Sequence, residues 1–197
     1  MPPSENNFPI CKYKLILASG SPRRKELLSG LGISYEHEPT HADESFPENL
    51  IAENIPLYLA EKKSFSFPRN LNEDELLLTA DTIVWVEGSV LNKPTDRQEA
   101  FEMLKKLSGK KHEVFTAICL RNSQKKKTFY ECTEVYFKDL SDLEIAFYID
   151  NFPVYDKAGS YGVQDWIGYV GIEKINGSFY NVMGLPVKIL YEELSKF

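Results

Sequence analysis

Leu15-Ile16-Leu17-Ala18-Ser19-Gly20-Ser21-Pro22-Arg23-Arg24 opens on an apolar run and breaks into small polar residues, a proline and two arginines. The pattern predicts a buried strand, a tight turn and the first turn of a helix. Ser21 suits an N-cap. Pro22 suits the first helical position, where its missing N–H costs nothing and its φ is already helical. The helix continues through Lys25-Glu26-Leu27-Leu28 and stops near Gly30 and Gly32. Arginines at this end stand against the helix macrodipole. Free backbone N–H groups and the dipole already form an anion site, and paired guanidinium forks turn it into a phosphate clamp. The alternative is a solvated basic first turn.

The rest of the chain extends this strand–turn–helix opening into an α/β pattern. Its 197 residues are enough for one domain or two small lobes around a real core. Apolar residues make up 43% and charged residues 26%, as in ordinary globular proteins. A net charge of -6 argues against a general nucleic-acid binder. No apolar run approaches the ~20 residues that span a bilayer, so no membrane partner is expected. Residues 1–12 read as a flexible polar tail without the basic start and apolar region of a signal peptide. The cysteines Cys11, Cys119 and Cys132, with no C-x-x-C, fit reduced thiols in a cytoplasm, and Cys119 and Cys132 read as packing residues.

Downstream, Ser34 to Pro47 reads as polar and irregular, and a helix starts near Pro56. Leu76 to Ala80 is apolar without alternation, which suits a strand buried on both faces. It meets Asp81-Thr82 and resumes as a strand over Ile83 to Val86. Thr95-Asp96-Arg97-Gln98 reads as a capping box ahead of a helix ending at Gly109. Val114 to Leu120 and Thr128 to Phe137 read as strands of a hairpin. Ser141-Asp142-Leu143-Glu144 is a second capping box. A glycine-rich stretch covers Asp156 to Gln164, a strand Val170 to Ile175, and a last helix begins near Pro186. The expectation is an α/β protein with a mixed, twisted sheet flanked by helices.

Three further signals carry chemistry. Asp81, directly after five apolar or small positions, is read at the end of a central strand, where α/β sheets line their ligand crevice. A carboxylate there can hold a divalent metal or orient a water; the alternative is an acid capping a turn. Lys93-Pro94 follows a short strand, and its ammonium suits phosphate, or is an exposed loop lysine. Gly159, Gly162 and Gln164 let backbone approach a ligand, and a Gln amide both donates and accepts, so it can read a base edge; the alternative is an ordinary turn. His37 and His41 have helical metal-pair spacing, but Pro39 between them disfavours a helix and no third ligand is evident. The run Gln124 to Lys127 reads as a solvated hairpin loop.

Taken in order, Ser19-Gly20-Ser21-Pro22-Arg23-Arg24, Thr79-Ala80-Asp81-Thr82, Lys93-Pro94, Lys157-Ala158-Gly159 with Tyr161-Gly162 and Gln164, and Tyr180-Asn181-Val182 with Gly184-Leu185-Pro186 resemble the Maf family of nucleoside triphosphate pyrophosphatases. The resemblance covers residue 13 to the C-terminus as a single catalytic domain. It implies a mixed sheet like that of inosine triphosphate pyrophosphatases, with a cleft between two lobes. It also implies hydrolysis between the α- and β-phosphates of a nucleoside triphosphate and a divalent cation, Mg²⁺ or Mn²⁺. A homodimer is common in the family. Arg24, Thr82 and Gln164 match the selectivity positions of the dTTP/UTP-specific group.

By the same resemblance Asp81 activates or positions water, directly or through the metal, and Glu44 matches a metal position. Ser19, Ser21, Arg23, Arg24, Lys63 and Lys93 match substrate-binding positions. Two residues depart from the pattern: Asn92 stands where the family usually has Gly, and Asp165 where it often has Gly, which adds an acid near the proposed base site. A nucleotide-binding regulator of cell division with incidental hydrolysis, and a pyrophosphatase for modified pyrimidine nucleotides, are the competing readings.

Overall fold

The computed structural model describes residues 11–40 and 42–197. Most of the tail expected at residues 1–12, and His41, lie outside the described residues. The elements run β1 (Lys14–Leu17), α1 (Pro22–Gly30), β2 (Tyr35–His37), α2 (Asn54–Phe65), β3 (Glu75–Val86), β4 (Ser89–Leu91), α3 (Arg97–Leu107), β5 (Lys111–Arg121), β6 (Lys126–Phe137), α4 (Asp142–Asn151), a 3₁₀ turn (Ala158–Ser160), α5 (Trp166–Gly171), β7 (Ile172–Asn176), α6 (Phe179–Met183) and α7 (Val187–Leu194). Seven strands form a mixed sheet in the order β2-β1-β3-β5-β6-β7, with β4 paired to β3. This is the expected α/β class.

The chain divides into two compact units. The first takes the chain up to Asp81, Thr116–Glu131 and Gly184–Phe197; the second takes Thr82–Phe115 and Cys132–Met183. In the first unit β1 pairs in parallel with β2 and β3, with Leu15 opposite both Tyr35 and Leu76. Parallel strands covered on both faces need continuous apolar runs. Accordingly Leu76, Leu77 and Leu78 are each 0% exposed. Ile16, Ala18 and Leu77 pack with Phe67 and Leu71. Helix α2 buries Ile55, Leu59, Ala60 and Ser64, one stripe at helical spacing, and Ala60 packs on Ala117 and Cys119.

In the second unit the described pairings are antiparallel. Val84 faces Leu91 across the β3–β4 hairpin, and Val135 faces Ile175 between β6 and β7. The two-residue turn Glu87-Gly88 has positive φ at both positions, 50° and 75°, as hairpin turns that match strand twist require. Its core gathers Val84, Leu104, Leu107, Val135, Ile145 and Tyr148. The Ser141 capping box is formed in full: the side chain accepts from Glu144 N–H and the Glu144 carboxylate accepts from Ser141 N–H.

Four expectations need correction, and one helix was not foreseen. Asp81 lies inside an unbroken twelve-residue strand rather than at a strand end, because Lys63 neutralises the buried carboxylate and the backbone ladder has no reason to stop. The stretch read as irregular contains β2, whose three residues are too few for a periodicity to show. The cap of α3 is Asp96, one residue later than the first residue of the proposed box; it accepts from Glu99 N–H, while Thr95 N–H and Oγ1 donate back to the Glu99 carboxylate. Val170 and Gly171 belong to α5, not to a strand; apolar runs this short do not separate helix from strand. Helix α6 lies where only motif residues were read.

Candidate active site

The apolar strand β1 delivers Ser19 to its end, and the turn that follows starts α1. Ser19 Oγ accepts from Ser21 N–H at 3.3 Å, and Ser21 Oγ caps the helix by accepting from Arg24 N–H. The predicted strand, turn and capped helix are therefore all present. His37 at the end of β2 adds a tie absent from the sequence reading: its Nε2 donates to the Ser19 carbonyl at 2.8 Å. A carbonyl only accepts, so Nε2 is the donor in this contact and is not presented to a metal.

Arg24 does more than present a charge. Its Nε donates to the Gly184 carbonyl at 2.8 Å, and Nη1 donates to the Ala80 carbonyl at 2.8 Å and to Ser19 Oγ at 3.2 Å. The guanidinium thus joins the start of α1 to the residue before Asp81 and to Gly184 of the C-terminal motif. Burial pulls its pKa down, opposed by the charge of Asp81 and reinforced by Arg23. Arg23 is half-buried on the same turn.

Strand β3 and helix α2 meet around Asp81. Side chains two apart on a strand share a face, so Thr79 and Asp81 both reach α2. Thr79 Oγ1 donates to the Ala60 carbonyl at 2.7 Å. Asp81, 6% exposed, accepts from Lys63 Nζ at 2.6 Å. The same ammonium donates to Glu44 Oε1 at 2.8 Å. Lys63 sits in the last turn of α2, where the helix dipole favours a cation. Its neighbour Lys62 grips the residues on either side of Glu44: Asp43 Oδ2 at 2.8 Å and the Ser45 carbonyl at 2.8 Å. Hydrogen bonds from Lys62 and Ser45 hold the Asp43 carboxyl below the usual range. Two successive lysines therefore clamp the acidic loop and leave Glu44 facing the ammonium that holds Asp81.

Among the described residues no three His, Cys, Asp or Glu side chains cluster as a ready metal site. Glu44 and Asp81 nevertheless converge on one cationic atom. Hard cations such as Mg²⁺ are held by one or two carboxylates with substrate phosphates completing the shell, so this donor pair fits a divalent cation brought in with a triphosphate. The first unit thus brings together Ser19, Ser21, Arg23, Arg24, Glu44, Lys63 and Asp81.

Thr82, Lys93 and Gln164 lie in the second unit. Lys93 follows β4 by two residues, past the Leu91 that pairs with Val84. The Asn92 carbonyl accepts from Gly159 N–H at 3.1 Å, which fastens the Lys93 loop to the glycine-rich stretch. Gly159 has φ +66°, and a Cβ there would stand 3.0 Å from Val84, so the glycine serves both the turn and the close approach. Gln164 Oε1 is buried and, among the described residues, has no hydrogen-bond partner. Asn181 of the C-terminal motif is a core tie: its Nδ2 donates to the Val114 carbonyl at 3.0 Å and to Thr133 Oγ1 at 2.9 Å.

The sequence reading weighed His37 only as half of a metal pair, and missed its tie to the Ser19 carbonyl along with the contacts of Lys62 and the Gly184 carbonyl. No spacing announces them, because each acts through a contact far away in the chain. It also missed the pair formed by His112 Nε2 and Tyr161 Oη at 2.7 Å, both buried.

The model of the Maf-like protein family matches residues 14–197. The chain belongs to the Maf family. Among curated relatives, this Maf chain is 52% identical over 186 residues to a protein of Bacteroides fragilis, covering 94% of this chain and 96% of the relative. It is 53% identical over 186 residues to one of Phocaeicola vulgatus, with the same coverage of 94% and 96%. It is 44% identical over 184 residues to one of Flavobacterium johnsoniae, covering 93% and 95%. Each of these relatives is named a dTTP/UTP pyrophosphatase. No described helix of this Maf protein is long and apolar enough to cross a membrane.

Proposed function

We propose that this chain hydrolyses dTTP and UTP to the nucleoside monophosphate and pyrophosphate. The observation that carries the reading is the ammonium of Lys63 held between Asp81, a mostly buried carboxylate on a central strand, and Glu44. A triphosphate brings about four negative charges, which cations must offset for attack at phosphorus. Arg23, Arg24, Lys63 and Lys93 supply fixed positive charge, and Ser19, Ser21 and the α1 N-terminus supply short hydrogen-bond groups.

When phosphate draws Lys63 away, Asp81 is released to act as a base. Asp81 then takes the proton of the attacking water. The water oxygen bonds to the α-phosphorus while the bond to the α–β bridging oxygen breaks, and pyrophosphate leaves. Glu44 and Asp81 are the residues that would hold a divalent cation, Mg²⁺ or Mn²⁺, which when bound polarises phosphoryl oxygens.

Gln164 reads the base, with Arg24 and Thr82 as the other selectivity residues. Its orphaned Oε1 is an acceptor, and the N3–H of uracil or thymine is a donor, whereas N3 of cytosine is an acceptor. A buried unpaired acceptor costs about 1–3 kcal/mol, so a base that satisfies it gains over one that does not. We read residues 13–197 as one catalytic domain that acts in the cytoplasm without nucleic-acid or membrane partners.

The test is pyrophosphate release across the eight common nucleoside triphosphates, with Mg²⁺ or Mn²⁺. Release highest with UTP and dTTP is the expected result. Equal release from all eight refutes the substrate assignment, and binding without release favours the regulator reading.

A further inference from the structure

The residue after Gln164 explains how that side chain is held. Asp165 is an acid next to a proposed base-reading amide, which on sequence alone is a threat to selectivity. Its carboxylate turns instead toward Tyr148 and Lys157. Tyr148, 0% exposed, donates its hydroxyl to Asp165 Oδ2 at 2.9 Å. The same hydroxyl oxygen accepts from Gly162 N–H at 3.0 Å. A backbone N–H can only donate, so the hydroxyl proton is committed to Asp165. The Lys157 ammonium, on a side chain 5% exposed, stands 3.6 Å from Asp165 Oδ2. Lys157 also donates to Asp156 and to the Pro153 carbonyl.

These contacts close a four-residue turn from both ends. Gly162 and Asp165 are pinned to one tyrosine oxygen, and Asp165 N–H donates back to the Gly162 carbonyl at 3.0 Å. The packing is tight: a Cβ on Gly162 would lie 2.5 Å from Asp165 Oδ2 and 2.9 Å from Lys157 Cε. Gln164 lies inside that turn, with its buried Oε1 unpartnered among the described residues. A turn free to relax would rotate such an oxygen toward a donor or water, because leaving it unmatched is unfavourable.

We infer that Asp165 is a positioning residue for substrate choice: with Tyr148 and Lys157 it fixes the Gly162–Asp165 turn so that Gln164 presents an unsatisfied acceptor to a pyrimidine carrying an N3–H donor. The inference rests on the base-reading role of Gln164 and extends it to the residues that hold it. Asp165 takes no part in bond breaking, so its loss falls on KM rather than kcat, and on UTP rather than CTP.

The experiment measures kcat and KM with UTP and with CTP for the full chain and for Gln164→Ala, Asp165→Ala, Asp165→Asn and Tyr148→Phe, with a thermal midpoint for each. Asp165→Ala should lower the UTP-to-CTP ratio of kcat/KM by about five- to tenfold, the value of one neutral hydrogen bond such as that between Gln164 Oε1 and a base N3–H. Asp165→Asn, whose amide oxygen still accepts from Tyr148, should recover most of that ratio. Tyr148→Phe should lower it in the same direction, and carries the test if Asp165→Ala does not fold. A collapsed ratio in Gln164→Ala with a wild-type ratio in Asp165→Ala or Tyr148→Phe overturns the positioning role alone. A ratio lost in Asp165→Ala and not recovered by Asp165→Asn overturns it too. An unchanged ratio in Gln164→Ala overturns the base-reading role itself.

Discussion

Replacing Asp81 with Asn separates catalysis from stability, because the structure sets different magnitudes for the two. The 2.6 Å bond from Lys63 is charge-assisted, a class worth about 1.5–3 kcal/mol against about 0.5–1.5 for a neutral one. Asn keeps the shape and an acceptor, and Lys63 keeps Glu44 at 2.8 Å. The neutral amide also removes the desolvation cost of a mostly buried charge. The net stability loss is therefore about 1 kcal/mol, or about 2–4 °C in thermal midpoint for a chain of this size. An amide cannot take a proton from water. General-base catalysis is worth about 10²–10⁴ in rate, which is about 3–5 kcal/mol of activation free energy. Turnover measured as pyrophosphate release from UTP should fall by that factor while differential scanning fluorimetry shows a folded protein. A folded Asp81→Asn variant that keeps turnover within about tenfold of wild type refutes Asp81 as the base.

Lys63→Met removes the ammonium shared by Asp81 and Glu44; breaking a buried pair costs about 3–5 kcal/mol, and the residual exposure of both side chains reduces this to about 2, so a lower thermal midpoint together with a raised KM for UTP is expected, and a midpoint above wild type contradicts the pairing. His112 is held neutral by burial, its pKa pushed down to about 3 from 6.5. The unfolded chain therefore binds a proton that the folded chain refuses, and stability falls by about 1.4 kcal/mol per pH unit as pH drops below about 6.5. Urea melts at pH 7.5 and pH 5 should show about 2 kcal/mol more loss in wild type than in His112→Gln, and equal losses would exclude the histidine as the cause. Chelation by EDTA should abolish pyrophosphate release and Mg²⁺ or Mn²⁺ should restore it; full activity in EDTA removes the metal from Glu44 and Asp81.

Local rules made the first part of the site legible. Ser21, Pro22 and the apolar run before them describe a strand, a turn and a capped helix without reference to the rest of the chain, because caps and proline geometry act within one turn. The run Leu76 to Ala80 announced a strand buried on both faces for the same kind of reason. Asp81 shows where such rules stop. Read locally, an acid after an apolar run ends a strand. In the fold the strand continues to Val86, because an ammonium from α2 arrives to neutralise it, and nothing near Asp81 in sequence foretells that.

Residue types, and the order in which they occur, decided which chemistry is available here: two arginines on a helix start, an acid in an apolar strand, lysines and a glutamine downstream. Tertiary structure alone decided what each does. It made Arg24 a brace between Ala80, Ser19 and Gly184, put Lys63 between Asp81 and Glu44, recruited His37 to the Ser19 carbonyl, and turned the Asp165 carboxylate away from the role its charge suggested. The physical reason is reach. Propensity and capping act over a few residues, whereas a buried charge or amide is settled by whichever partner the packed chain brings within hydrogen-bond distance.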